Sequence, residues 1–431
     1  MSSKFVFKLL RKSASILTMP RVSDFDMIGD PKFERPTFED TINEVKVQYS
    51  KREEGVSIIT ISKVSCSCGQ GYILQNDGVL WCFEGYYGSL GDGSYDYNEL
   101  LVPVNPNGGL SFDDITCNYE APLGLVNGDI YWWGYHSGGS NSTGCSNGDD
   151  NETCPWHNTS PALGASGYNF ATLSRDSSWN SYVGLAIDTS GKLWGWGYQV
   201  FCQIADGGVS DCYHTPLPVL EVTAIDHPNN NWFRVDIGWV ICCGVDLDGK
   251  LWVWGNDRYG SGGIGEVASS YIHNPRQIGT DTDWFQASAG EYGGVAIKTD
   301  GSLWGWGMNT QCQFALPVKD AIYELTKIMD GEFVDVVIDG YCGAALDEDG
   351  YLWVWGDNDW IGALGLGYED GTILCTPTRI ESISGITAFD VGQARMIATD
   401  GVNVWIWGWW DCYYNEYGDY PYSPYNIWSV G

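Results

Sequence analysis

The stretch Asp248-Gly249-Lys250-Leu251-Trp252-Val253-Trp254-Gly255 carries the information that selects the fold. Asp-Gly supplies the positive-φ residues that two-residue hairpin turns favour. Leucine follows two positions after the glycine, and aromatic residues follow three and five after it. Alternation along a strand puts both rings on one face and the leucine on the other. Both faces are then apolar, as expected of a sheet packed between two others.

The same phrase returns at Gly78 (GVLWCFEG), Gly128 (GDIYWWG), Gly191 (GKLWGWG), Gly301 (GSLWGWG), Gly350 (GYLWVWG) and Gly401 (GVNVWIWG). Counting from glycine to glycine, the intervals are 50, 63, 58, 52, 49 and 51 residues. In six copies the strand before the turn aligns without gaps. Seven positions before the glycine stand Gly71, Gly184, Cys242, Gly294, Gly343 and Ala394, all small. Small residues are expected there because strands crowd together near a central axis. Farther upstream another strand reads as Trp232-Phe233-Arg234-Val235, Trp284-Phe285-Gln286-Ala287 or Glu332-Phe333-Val334-Asp335. Proline-led strands such as Pro103-Val104, Pro218-Val219, Pro275 to Ile278 and Pro377 to Ile380 close several units. Four short strands in each of seven units predict an all-β, seven-bladed β-propeller. A β-solenoid is the alternative, but its coils are shorter and lack a four-strand unit.

A small-residue strand, an Asp-Gly turn and L-W-x-W-G together resemble the repeats of the regulator of chromosome condensation family. Gly88-Ser89-Leu90-Gly91-Asp92-Gly93 and Gly362-Ala363-Leu364-Gly365-Leu366-Gly367 are similar to that family's G-Q-L-G-x-G loop, and Cys202-Gln203 and Cys312-Gln313 are divergent forms of it. The resemblance covers residues 56–431 and implies a seven-bladed propeller. It does not fix an activity, because the fold hosts exchange factors, ubiquitin ligases, inhibitors and plain binding modules.

Charge divides the chain at the same place. The sequence has 431 residues with 22 Lys/Arg, 55 Asp/Glu and a formal charge of −33. Residues 1–55 hold ten basic and nine acidic residues, so nearly all the excess acid lies in 56–431. A surface so negative repels phosphate backbones, and nucleic acid is excluded as the main partner. No apolar run of membrane-spanning length is present, and Lys8, Arg11 and Lys12 interrupt the only stretch resembling a secretory leader.

Residues 1–55 read as an extension outside the blades, in which Val45-Lys46-Val47-Gln48-Tyr49 alternates as a strand does. The wording from Arg35 to Glu53 resembles a segment of bacteriophage tail hub and tail-tip proteins. That resemblance implies an anchoring segment followed by a propeller, located in a virion tail. Its partners would then be other tail proteins or a host surface receptor, protein or glycan. The alternatives are an N-terminal strand docked on the propeller and, for function, a cytoplasmic regulator of exchange-factor or inhibitor type acting through one propeller face.

Catalytic signals are weak. His136, His157, His214, His227 and His273 fall on none of the repeated strands and read as solvated loop residues. No nucleophile elbow, P-loop or H-E-x-x-H occurs, and no two acids stand out as a glycosidase pair. The 14 cysteines form no C-x-x-C pair and read as buried packing, with Cys145/Cys154 or Cys202/Cys212 as the conceivable disulfides. Asp149, Asp150 and Glu152 lack the spacing of a calcium loop. The expectation is therefore a non-enzymatic binding protein with no metal or cofactor. Its binding surface is sought in the rim aromatics Trp409, Trp410, Asp411, Tyr413, Tyr414 and Tyr417, joined by Tyr86 and Tyr87 of the first unit. Tyrosine and tryptophan are the usual anchors of interfaces.

Overall fold

The computed structural model describes the strands at 5–8, 28–33 and 44–50 by their backbone. It also describes residues 59–429 apart from 68, 86–88, 95–100, 106–108, 118–121, 136–156, 177–181, 200–201, 206–210, 219–230, 266–270, 359–361, 368–371, 393 and 410–421. Two compact units emerge, Met1–Ile59 and Thr60–Gly431. In the first, strands Phe5–Lys8, Glu44–Ser50 and Ile28–Phe33 form a three-stranded antiparallel sheet with the middle one central. The alternating segment around Val45 is thus a strand.

The second unit is a propeller of seven antiparallel sheets, each with its strands in chain order from the axis outward. The inner strands are Ile61–Ser67, Asp114–Thr116, Phe170–Leu173, Trp232–Ile237, Trp284–Ala289, Phe333–Ile338 and Ala388–Gly392, and they number the blades 1 to 7. All seven turn glycines of the repeat have φ between 75° and 90°, the region the Asp-Gly turns demand.

The two aromatic residues of each repeat do different work. The first ties down its own hairpin: the indole Nε1–H of Trp194, Trp252 and Trp353 donates to Asp188, Asp246 and Asp347 at 2.8, 3.0 and 2.8 Å. The second reaches the preceding blade. Trp133, Trp254, Trp306 and Trp355 donate to the carbonyls of Ser89, Gln203, Ser261 and Gln313 at 2.6–2.8 Å. These acceptors lie in the loops between third and outer strands, so the divergent Cys-Gln loops hold the same place as the others. Each bond joins the sequence of one repeat to the packing of two.

The small residues of the second strand have a different cause from the one expected. A Cβ on Gly71, Gly184, Gly294 or Gly343 would lie 2.3–2.6 Å from the ring of Phe83, Trp196, Trp306 or Trp355 directly opposite. The ring of the second aromatic covers the neighbouring strand and excludes a side chain there. Blade 7 departs from the alignment: Met396, rather than Ala394, faces Trp407.

Ring closure uses side-chain and backbone contacts, and among the described residues blades 1 and 7 share no sheet. Blade 1 is built from 61–103 and blade 7 from 388–429. Asp390 accepts from Ser65 Oγ at 2.9 Å and Cys66 N–H at 3.0 Å, Ile61 N–H donates to the Gly401 carbonyl, and Trp81 meets Trp428 edge-on with centroids 5.0 Å apart. One apolar cluster holds Ile61, Val64 and Phe83 together with Ile397, Val404 and Ile406.

One sequence expectation fails here. His157, His214 and His273 lie on outer strands (His157–Ala165, Asp211–Pro218 and Tyr271–Gln277), and the Nδ1 of His273 lies 3.2 Å from Cys202 Sγ. Among the described residues a disulfide joins Cys312 to Cys375, between blades 5 and 6, and Cys202 is buried. Cys145 and Cys154 lie outside the described residues.

Candidate functional site

Inner strands bring polar side chains to the axis at two levels. At the first level stand Lys63, Asp114, Thr172, Arg234, Gln286 and Asp335, with Ala388 in blade 7; two residues later come Ser65, Thr116, Ser174, Asp236, Ser288, Val337 and Asp390. The first ring is cross-linked. Lys63 Nζ lies 2.5 Å from Asp114, which also accepts from the Leu173 N–H at 3.1 Å. Arg234 donates to Gln286 Oε1 at 2.6 Å, and Gln286 in turn donates to Asp335.

Blade 3 breaks the pattern. Its inner strand ends at Leu173, and Arg175–Asp176 then pairs in parallel with the inner strand of blade 4. The shift places Arg175 on the axis, where it reaches across to blade 6. Its guanidinium binds Asp335 through both nitrogens, at 2.9 and 2.7 Å. Burial would push the Asp335 carboxyl up, but Arg175, with help from Arg234 and Gln286, holds it below the ordinary carboxylate range. Among the described residues, Asp236 and Asp390 have no such cation paired to them. Burial outweighs the pull of Arg175 on Asp236 and pushes it up to about 8, and it raises Asp390 as well.

The turns that follow the inner strands lie at one end of the axis. Trp239, Tyr292 and Tyr341 lie in these turns in blades 4, 5 and 6, and Tyr259 lies in the adjacent outer loop of blade 4. Tyr292 is the hinge of the group: its ring meets Trp239 at 5.6 Å and Tyr259 at 5.4 Å, both edge-on. Tyr259 is 52% exposed and holds φ at 57°, a conformation tyrosine rarely adopts. Beside them are two acids whose carboxyls are raised towards neutrality, chiefly by burial. Burial pushes Glu291 up to about 7, and burial with neighbouring Glu291 pushes Asp339 up to about 7 against the pull of the Gly340 N–H and Arg395. Burial also raises the Tyr292 and Tyr341 hydroxyls. A rigid aromatic surface bordered by carboxylates is suited to holding a protein partner.

Of the residues singled out in the sequence, Trp409 is half-buried, packs on the core of blades 6 and 7, and donates its N–H to the Ala394 carbonyl at 2.8 Å. Trp410, Asp411, Tyr413, Tyr414, Tyr417, Tyr86 and Tyr87 lie outside the described residues. The cluster around Tyr292 was missed. Its signal was an aromatic nine residues before the turn glycine in two successive repeats, Tyr292 and Tyr341.

No family model matches the chain. It is 25% identical over 232 residues to the ultraviolet-B receptor UVR8 of Arabidopsis thaliana, covering 52% of this chain and 51% of that protein. It is 24% identical over 143 residues to the regulator of chromosome condensation of Xenopus laevis, covering 33% and 32%. The chain thus spans about half the length of the first of these relatives and a third of the second. Prp20p of Saccharomyces cerevisiae, solved and described with its binding to Gsp1p and histones, superposes with a TM-score of 0.62 at 18% identity, over 77% of this chain and 80% of that one. The chain is a seven-bladed propeller similar to the regulator of chromosome condensation.

Proposed function

We propose that this chain is a non-catalytic, partner-binding propeller that acts as a cellular regulator through the face carrying Trp239, Tyr259, Tyr292 and Glu291. The aromatic group hinged on Tyr292 carries the reading, because it sets exposed ring area on a rigid scaffold at low entropic cost. The relatives support it: one is named a regulator of chromosome condensation, and the yeast propeller is described with its binding to Gsp1p and histones. The formal charge of −33 favours a basic protein partner. A place in a virion tail rests on Arg35–Glu53 alone, and none of these relatives is a tail protein.

The test is site-specific photo-crosslinking in cells. A photoreactive residue at Tyr259 should capture one discrete protein, one at Val402 on the opposite face should not, and Tyr292→Ala should abolish the capture. Equal capture at both positions would refute a one-face mechanism. Release of labelled GDP from a captured small GTPase would then separate an exchange factor from an inhibitor.

A further inference from the structure

The hairpin-turn face of blades 5 and 6 carries one cradle twice, filled in the first and open in the second. In blade 5, Lys298 stands three residues before the turn glycine Gly301. Its ammonium lies 4.8 Å from the ring centre of Trp284 and 5.0 Å from that of Trp304. Those rings meet edge-on with centroids 5.9 Å apart. Asp281 and Asp283, from the connection into the inner strand, both pair with the ammonium, Asp283 at 3.1 Å.

Blade 6 repeats these walls. Phe333 and Trp353 meet edge-on with centroids 6.0 Å apart. Asp330 and Glu332 occupy the positions of Asp281 and Asp283, and the Glu348 N–H donates to the Glu332 carbonyl at 2.9 Å, as Thr299 does to Asp283 at 2.8 Å. The occupant differs. Asp347 stands where blade 5 has Lys298, and its carboxylate is taken by the Trp353 indole and the Tyr351 N–H, each at 2.8 Å. A recess of about 230 Å³ results, lined by Phe333, Trp353, Glu332 and Asp349 among others. The nearby cations are engaged: Lys327 pairs with Asp330, and Arg379 binds Glu381 while stacked on Tyr351. Among the described residues, no cation pairs with Glu332 or Asp349.

We propose that this recess is a binding site for a primary ammonium group on an alkyl chain, a lysine side chain presented by a partner protein. Blade 5 shows the complement the cradle accepts: a compact charge on a flexible stem, set over two rings and against two carboxylates. The site lies on the face opposite the Tyr292 cluster and does not depend on the role given to that cluster.

The test uses the full chain and a fluorescein-labelled hexalysine peptide, with its fully Nε-acetylated counterpart, followed by anisotropy at physiological ionic strength. Hexalysine should bind and the acetylated peptide should not. Glu332→Gln should weaken binding about fivefold. Asp248→Asn, the same charge change on the blade 4 turn, should leave it unchanged. Asp347→Lys, which gives blade 6 its own lysine, should remove it. Glu332 is exposed, so its variant probes the recess without touching the core. Failure of hexalysine to bind, or equal losses in Glu332→Gln and Asp248→Asn, would overturn the site and leave only diffuse attraction to an acidic surface.

Discussion

Replacing Asp335 by asparagine tests whether the axis is held by a strut between blades 3 and 6. The substitution keeps the shape of the side chain but leaves the Arg175 guanidinium without its counter-charge. Removing one partner of a buried ion pair costs roughly 3–5 kcal/mol. The Arg175 and Asp335 side chains keep 27% and 18% of their exposure, so the lower end, about 3 kcal/mol, applies. The unfolding entropy of the propeller unit, at about 2.1 cal/mol/K per residue over roughly 370 residues, is on the order of 0.8 kcal/mol/K. The melting temperature should therefore fall by about 4 °C. Urea unfolding followed by tryptophan fluorescence gives the free energy, and calorimetry gives the midpoint. Combining Arg175→Met with Asp335→Leu removes both charges, so the double variant should cost less than the sum of the single changes, with a coupling of about 1.5 kcal/mol or more. A loss below about 1 kcal/mol for Asp335→Asn, or simple additivity in the cycle, would show that the contact across the axis does not brace the ring.

Two buried acids, Asp236 and Asp339, predict an unusual pH dependence. Asp236 and Asp339 keep their protons up to about 8 and about 7 in the folded chain but lose them near 4 once unfolded. The folded state then binds more protons through that window, so stability falls as pH rises from about 4 to 8 and levels off above it. Asp236→Asn should flatten the slope, and parallel urea midpoints for variant and parent at pH 5.5 and 8.5 would contradict this. Gly343→Ala drives a methyl to 2.6 Å from the Trp355 ring and should cost about 1–3 kcal/mol in urea unfolding; an unchanged midpoint would discount the ring as the reason for small residues there. His273 holds the position in blade 4 that Cys375 holds in blade 6, each following the residue paired with the third-strand glycine. His273→Cys should therefore form a disulfide with Cys202, read as a cross-linked tryptic pair. Persistence of two free thiols under oxidising conditions would deny the equivalence.

The sequence alone settled the repeat, the hairpin and the number of blades. Each of these depends on residues within a few positions of one another: an Asp-Gly turn, a leucine, two rings in alternation. Such patterns are local, and seven copies make them unmistakable. Local reading also located the small residues of the second strand. It gave the wrong cause for them, because the ring that excludes a side chain lies on the next strand of the same blade. In blade 7 the hairpin has two residues fewer before the glycine and one more after it, so counting from the glycine selected Ala394 in place of Met396.

Tertiary structure alone decided what the blades present. Arg175 and Asp335 are 160 residues apart, and no periodicity pairs them. They meet because the inner strand of blade 3 ends early and its chain steps across to blade 4. The Tyr292 cluster draws on turns from different repeats, and the Cys312–Cys375 bond joins two blades. The recess in blade 6 exists because a lysine in one repeat is an aspartate in the next. The two residues look like ordinary surface variation until folding surrounds both with the same rings and carboxylates.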